Sequence, residues 1–205
     1  MRLFRPGLIP RILYPDALFR VKTNGKILFL TFDDGPDPES TVLIISILEK
    51  YKIKALFFCC GEAAEKYPRL IELLISEGHM IGNHGYHHLD GWRTSAPEYI
   101  ADAERAASFT SRLSFRPPFG RLTISQFIRL RRKFKIVFWD LMPYDFDKGF
   151  GINKTLRVLE RKIRPGAIIV LHDSVGSNAI SLLREFIVSA HNMGYRFGNP
   201  EMIIS

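Results

Sequence analysis

Short apolar runs, none longer than a strand needs, alternate with stretches of helical spacing along the 205 residues. This alternation limits the fold more than any other feature. Residues 27–32, 55–59, 80–82, 136–139 and 167–171 read as strands, with a further closing segment at 195–197. Between them, residues 40–51, 68–77, 97–112, 122–133, 154–163 and 179–193 carry apolar positions at helical intervals or helix-forming composition. Strands alternating with helices make parallel βαβ units. Six or seven such units fit either a small (β/α) barrel or an open doubly wound sheet, and periodicity alone does not choose between them. In both, catalytic groups gather beyond the C-terminal ends of the strands.

A chain of this length that is 46% hydrophobic builds one sizeable core, and no repeat or linker divides it. We expect residues 26–205 to form one catalytic domain and residues 1–25 to pack on it. The opening MRLFRPGLIPRILYPDALFR is broken by charges and prolines before an apolar run develops, which makes it a poor signal peptide. A second reading makes it an interfacial anchor, with Phe4, Leu8, Ile12, Leu13 and Phe19 in lipid beside Arg2, Arg5 and Arg11. The only cysteines, Cys59 and Cys60, are strand neighbours that point to opposite faces, so they do not pair. With no signal peptide and reduced thiols, a cytoplasmic location is expected, with the inner membrane surface as a point of peripheral contact. A net charge of +8 favours acidic partners: cell-wall polymer, anionic glycolipid or an anionic membrane surface. Nucleic acid is not expected, because the basic runs at 129–133 and 161–164 read as solvated helix faces and carry no binding motif.

Five short blocks carry the chemistry. TFDDGP follows the first strand and sets Asp33 and Asp34 side by side before a Gly-Pro turn. GNHGYHH follows the third strand, and half of the six histidines fall in it. His84 and His88 are four apart, so a helical turn would put both rings on one side, where with an aspartate they suit a metal ion. His87 turns away and reads as a surface residue. FRPPFG fixes the backbone after Arg116, and Gly120 permits a tight turn that aims the Phe119 N–H in one direction. WDLMPYDF offers Asp140 and Asp145, and PGAIIVLHDS ends a buried strand in His172 and Asp173. A histidine at the mouth of a strand is placed for acid–base chemistry. Val170, two residues earlier, would share its face of the strand and line a pocket there.

In this order the five blocks resemble the polysaccharide deacetylase family (carbohydrate esterase family four, with the nodulation-type chitooligosaccharide deacetylases), from about Lys26 to His172 and beyond. The resemblance implies a distorted (β/α) barrel of six to seven parallel strands in a single domain. It also implies a divalent metal held by Asp34, His84 and His88, with zinc first and cobalt, nickel or iron as alternatives. It makes Asp33 the general base, Arg116 its tether, His172 the general acid, Asp145 the acid that tunes it, and Phe119 the backbone oxyanion donor. Three residues depart from the family pattern: Gly85 where Ser or Thr is usual, Phe119 where Tyr is common, and Phe146 where Trp is common. The expected activity is removal of N-acetyl groups from amino sugars of peptidoglycan, chitooligosaccharide or a lipid-linked sugar. The alternatives are an O-acetyl esterase on a polysaccharide such as xylan, and a metal-binding glycan-recognition domain without turnover.

Overall fold

In the computed structural model residues 3–205 are described; Met1 and Arg2 lie outside them, and with Arg2 one cation of the anchor reading. Six strands pair in parallel: β1 (Ile27–Asp33), β2 (Leu56–Cys59), β3 (Met80–Asn83), β4 (Ser114–Phe115), β5 (Lys135–Ile136) and β6 (Ile168–His172). Their order is β5-β4-β3-β2-β1-β6, curled into a half-barrel, and β7 (Arg196–Phe197) pairs with the start of β1. The chain is thus a single α/β domain of the barrel type. The long strands, ILFLTFD, LFFC and IIVLH, are β-branched and aromatic and buried almost throughout. Parallel strands covered by helices on the outside and a filled barrel inside require this composition. The helices are α1 (Leu8–Leu13), α2 (Ser40–Lys50), α3 (Gly61–Lys66), α4 (Pro68–Ser76), α5 (Ala96–Ala106), α6 (Ile124–Leu130), α7 (Ile152–Lys162), α8 (Ala179–Asn192) and α9 (Glu201–Ile204).

Alternation along β1 sorts its side chains into two layers. Leu28, Leu30 and Phe32 pack outward with Ile44 and Leu48 of α2 and Phe186 of α8. Phe29 packs inward with Leu56, Phe58, Val137 and Ile168, and Ile203 of α9 joins this cluster. The period of two then places Thr31 and Asp33 on the inner face, above an apolar floor. Register aligns Asp33 with Phe58 on one side and His172 on the other, so these residues end their strands at one level.

The half-barrel is open between β5 and β6, and residues 14–21 fill part of that gap. Leu18 bridges to Val137 and Arg20 to Ala167, while Tyr14 and Phe19 enter an aromatic cluster with Phe115, Phe127 and Phe138. Phe19, assigned to lipid in the anchor reading, is therefore buried, whereas α1 buries none of its residues.

Two of the expected helices are shorter than their spacing predicts. The helix expected over 97–112 stops at Ala106, where the Phe109 and Thr110 N–H groups turn back onto the Ala106 carbonyl. The helix expected over 122–133 starts at Ile124, because Thr123 and Gln126 close a capping box and Leu122 is drawn into the core. The two-residue β4 and the short α1, α3 and α9 carry too little periodicity to be visible in sequence.

Candidate active site

Asp33 ends β1 on the inner face, nearly buried, and its Oδ1 accepts a bond of 2.6 Å from Arg116 Nη1. Arg116 is completely buried. Its Nη1 also donates to Thr31 Oγ1 at 2.7 Å, Nη2 donates to the Phe138 carbonyl at 2.9 Å, and Nε reaches the Val137 carbonyl at 3.3 Å. The guanidinium lies 4.1 Å from the centre of the Phe58 ring. Burial lowers the Arg116 pKa from its ordinary value, and Asp33 works against that shift. A buried cation so fully bonded holds one rotamer, and it fixes the carboxylate above it.

Asp34 turns the other way because its backbone is left-handed, with φ 80°. This swings its Oδ1 to 3.3 Å from His88 Nε2 and 3.6 Å from His84 Nε2. Burial would raise its pKa, but contact with His88 and the nearby His84 and His172 rings hold it below the ordinary carboxylate range.

His84 and His88 are not on a helical turn. They sit on an irregular loop after β3, and left-handed residues at Gly85 (φ 76°) and His88 (φ 54°) fold the second ring back to the first. The ring centres are 5.0 Å apart. His84 Nδ1 donates to the Arg116 carbonyl at 2.8 Å, which leaves Nε2 facing Asp34. Burial, with His88 adding to it, lowers the His84 pKa to about 4, against the pull of Asp33 and Asp34. Asp34, His84 and His88 each present one ligand atom, all within 4.8 Å of one another. A neutral imidazole whose other nitrogen is fixed by a carbonyl is the form a metal ion takes, so a divalent cation fits this donor set.

His172 ends β6 on the opposite side of Asp33. Its Nδ1 donates to Asp145 Oδ1 at 2.9 Å, and its backbone N–H donates to Asp145 Oδ2 at 2.7 Å. Burial disfavours a charged ring, yet Asp145, helped by Asp34 and Asp33, raises the pKa to about 9. The other acid of the same block, Asp140, serves a structural purpose: it is fully buried and meets Arg5, Arg11 and Arg164.

These groups open onto one cavity of about 450 Å³. Asp33, Asp34, His84, His88 and His172 line it, with Phe119, Trp139, Met142, Tyr144 and Phe146 as an apolar wall. Arg116 and Asp145 reach it only through the residues they hold. Phe119 has a left-handed backbone (φ 57°), and its ring stands 4.5 Å from that of His88. Phe146 stands 4.7 Å from His172 in the same edge-on manner. Val170, expected in the acetyl pocket, is buried beside Thr31 and does not line the cavity.

Sequence reasoning gave no role to two acids. Asp102 on α5 accepts the Tyr86 N–H at 2.7 Å, the His87 N–H at 3.1 Å and the His87 ring at 2.7 Å. It braces the histidine loop in place of the missing hydroxyl at position 85. A Cβ on Gly85 would come within 2.9 Å of Asp102 Oδ2, so the glycine and the aspartate belong together. Asp173 accepts from Ser40 Oγ at 2.6 Å and Thr41 Oγ1 at 2.5 Å, and its N–H donates to the Asp33 carbonyl at 2.7 Å. Burial raises its pKa to about 6 despite the two hydroxyls. The Leu-His-Asp block contained a signal for Asp173. Nothing in the spacing marked Asp102, which looks like any polar position on a helix.

Barrel, acid pair and histidine cluster together define a class of hydrolytic site, and comparison with known proteins makes the class specific. The family model for polysaccharide deacetylases matches residues 20–127. A peptidoglycan-N-acetylglucosamine deacetylase of Bacillus cereus is 30% identical over 189 residues, covering 87% of this chain and 88% of that protein. A second from the same organism is 32% identical over 184 residues, and there the match spans 66% of the relative's length. A chitooligosaccharide deacetylase of Sinorhizobium fredii is 28% identical, covering 86% of this chain and 91% of that one. The solved structure of a peptidoglycan N-acetylglucosamine deacetylase superimposes with a TM-score of 0.81 at 30% identity, over 91% of this chain and 92% of that one. The chain belongs to the polysaccharide deacetylase family.

Proposed function

We propose that the protein is a metal-dependent deacetylase that hydrolyses N-acetyl groups of amino sugars in a glycan. The observation that carries this reading is the division of labour across the cavity. A histidine with raised pKa, backed by Asp145, lines the cavity with His84, whose pKa is lowered and which forms with His88 and Asp34 a set suited to a metal ion. A domain that only bound glycan would need neither His172 nor the fixed Asp33.

Asp34, His84 and His88 would hold the cation, with zinc first and cobalt, nickel or iron as alternatives. Once bound, it would supply Lewis-acid polarisation of the acetyl carbonyl and acidity for the attacking water. Asp33, held in place by Arg116, removes the proton from that water as its oxygen bonds to the carbonyl carbon. His172 gives its Nε2 proton to the amide nitrogen as the C–N bond breaks, since an unprotonated amine is a poor leaving group. The products are acetate and a free amino sugar. Asp145 keeps His172 charged until that step and fixes the tautomer through Nδ1. The Phe119 N–H donates to the developing oxyanion. Trp139, Met142, Tyr144 and Phe146 shed water from the apolar side of the substrate.

Relatives named for peptidoglycan and for chitooligosaccharides support a glycan substrate of N-acetylated units. Acetate release should be measured on chitooligosaccharide, peptidoglycan and acetylated xylan, with and without a chelator. Release from the first two that the chelator stops supports the reading. Release from xylan alone overturns the preference for N-acetyl groups, and chelator-resistant release overturns the metal requirement.

A further inference from the structure

The most exposed apolar side chains of the N-terminal segment gather on residues 3–13. Leu3 is 64% exposed, Leu8 75%, Ile9 71%, Ile12 72% and Leu13 46%. Five large aliphatic residues in eleven positions, four of them on a helix that buries nothing, are not scattered surface residues. The segment is anchored at both ends. Phe4 packs edge-on against Tyr144 and beside Phe150, and the Phe4 carbonyl accepts the Met142 N–H at 2.9 Å. At the other end Tyr14 is buried, with its hydroxyl bonded to the Leu122 carbonyl. A short helix held at both ends but turned outward keeps its apolar face in water at a cost, unless something covers it.

The surroundings of the segment are cationic. Lys162 Nζ lies 5.7 Å from the Phe4 ring centre. Lys154, Arg157, Arg161 and Lys162 of α7 flank Phe150 around one shallow depression. All four are exposed, and among the described residues none of them is in an ion pair. The one acid of α7, Glu160, accepts from Ser189 Oγ on α8. Behind the segment three guanidiniums, Arg5, Arg11 and Arg164, share the single carboxylate of Asp140. Unpaired positive charge of a chain with net charge +8 therefore lies beside the apolar patch.

We infer that residues 3–13 and the basic face of α7 form a docking surface for an anionic lipid bilayer. Aliphatic side chains would enter the headgroup region while the cations meet lipid phosphates, the combination that holds interfacial helices on membranes. The complementary charge favours this occupant over a second copy of the chain, whose matching face would be equally basic. Among the described residues no helix is long and apolar enough to cross a membrane, so the contact is peripheral. The Leu3 N–H donates to the Tyr144 hydroxyl at 3.2 Å, and that hydroxyl donates to the Leu3 carbonyl at 3.1 Å. Because Tyr144 lines the cavity, docking sets this side of the cavity mouth next to the bilayer.

The test is binding of the purified full chain to vesicles of phosphatidylcholine alone and of phosphatidylcholine with phosphatidylglycerol in equal parts. Binding to the anionic vesicles only is expected, and it should disappear near 1 M salt, where charges are screened within about 3 Å. The Leu8→Glu, Ile12→Glu double variant should weaken binding on the order of 100-fold. The Arg161→Glu, Lys162→Glu variant should weaken it on the order of tenfold or more. Thermal unfolding of each variant shows whether it folds, and the exposed α7 pair carries the test if the α1 pair does not. Equal binding to both vesicle types, undiminished binding by either folded variant, or no binding at all would overturn the inference. So would a dimer that the Leu8→Glu, Ile12→Glu variant splits while vesicles leave the protein in solution.

Discussion

His84 and His172 line the same cavity, yet the fold prepares them for opposite charge states. His84 donates through Nδ1 to the backbone carbonyl of Arg116, and burial brings its pKa down to about 4. His172 donates through the same nitrogen to the Asp145 carboxylate; burial opposes its charge too, but Asp145 brings its pKa up to about 9. Burial acts in the same direction on both rings, so the Nδ1 partner decides. A neutral carbonyl leaves a free lone pair on Nε2 for a cation, and a carboxylate leaves a proton there for a leaving group.

The comparison breaks most completely if the neutral side is removed. A His84→Ala, His88→Ala double variant should lose stoichiometric metal, and with it activity by on the order of 10³-fold or more. Elemental analysis showing one metal per chain in that variant would reject the ligand set. Asp33→Asn should keep the metal and lose turnover by about 10²- to 10⁴-fold, the range of a general base. Asp34→Asn should instead fail at the metal, and equal metal loss in both would reject the separation of the two adjacent acids.

The charged side can be weakened more finely. Asp145→Asn takes away the carboxylate that favours the imidazolium, so the pKa of His172 falls. The protonated acid is then lost sooner as pH rises, and the alkaline limb of kcat/KM moves to lower pH. Arg116→Lys should reduce turnover and leave that limb in place, because it disturbs Asp33 and not the pair of Asp145 and His172. A limb that stays put in Asp145→Asn, or moves equally in both variants, contradicts the pairing. The smallest effect lies behind the histidine loop: Asp102→Asn should weaken metal binding by about 10- to 100-fold, as outer-shell changes do. An unchanged metal affinity would show that the loop holds itself.

The residues at the rim of the cavity were legible in the sequence because strand ends concentrate them. TFDDGP and Leu-His-Asp each span the end of a strand and RPPFG follows one directly, and alternation fixes which face the strand residues take. The His84–His88 pair was found by spacing, but for a mistaken reason. Its rings converge through two left-handed residues on a loop, a conformation that a count of four along a helix does not describe. Asp102 was invisible because it meets the loop from a helix 15 to 16 residues away, across tertiary packing that no local pattern records. The acetyl pocket was misjudged for a related reason. Val170 does share a strand with His172, but its side chain is covered beside Thr31, and the apolar wall comes from residues 139–146 instead.

The central claim, that one cavity keeps one histidine neutral and another charged, is tested most directly by ¹⁵N imidazole shifts of the metal-free protein across a pH titration. His172 should remain protonated through neutral pH and titrate near 9, while His84 should stay neutral until the pH approaches about 4. Titration of His172 at or below the ordinary histidine value of about 6.5, or protonation of His84 together with it, would contradict the account.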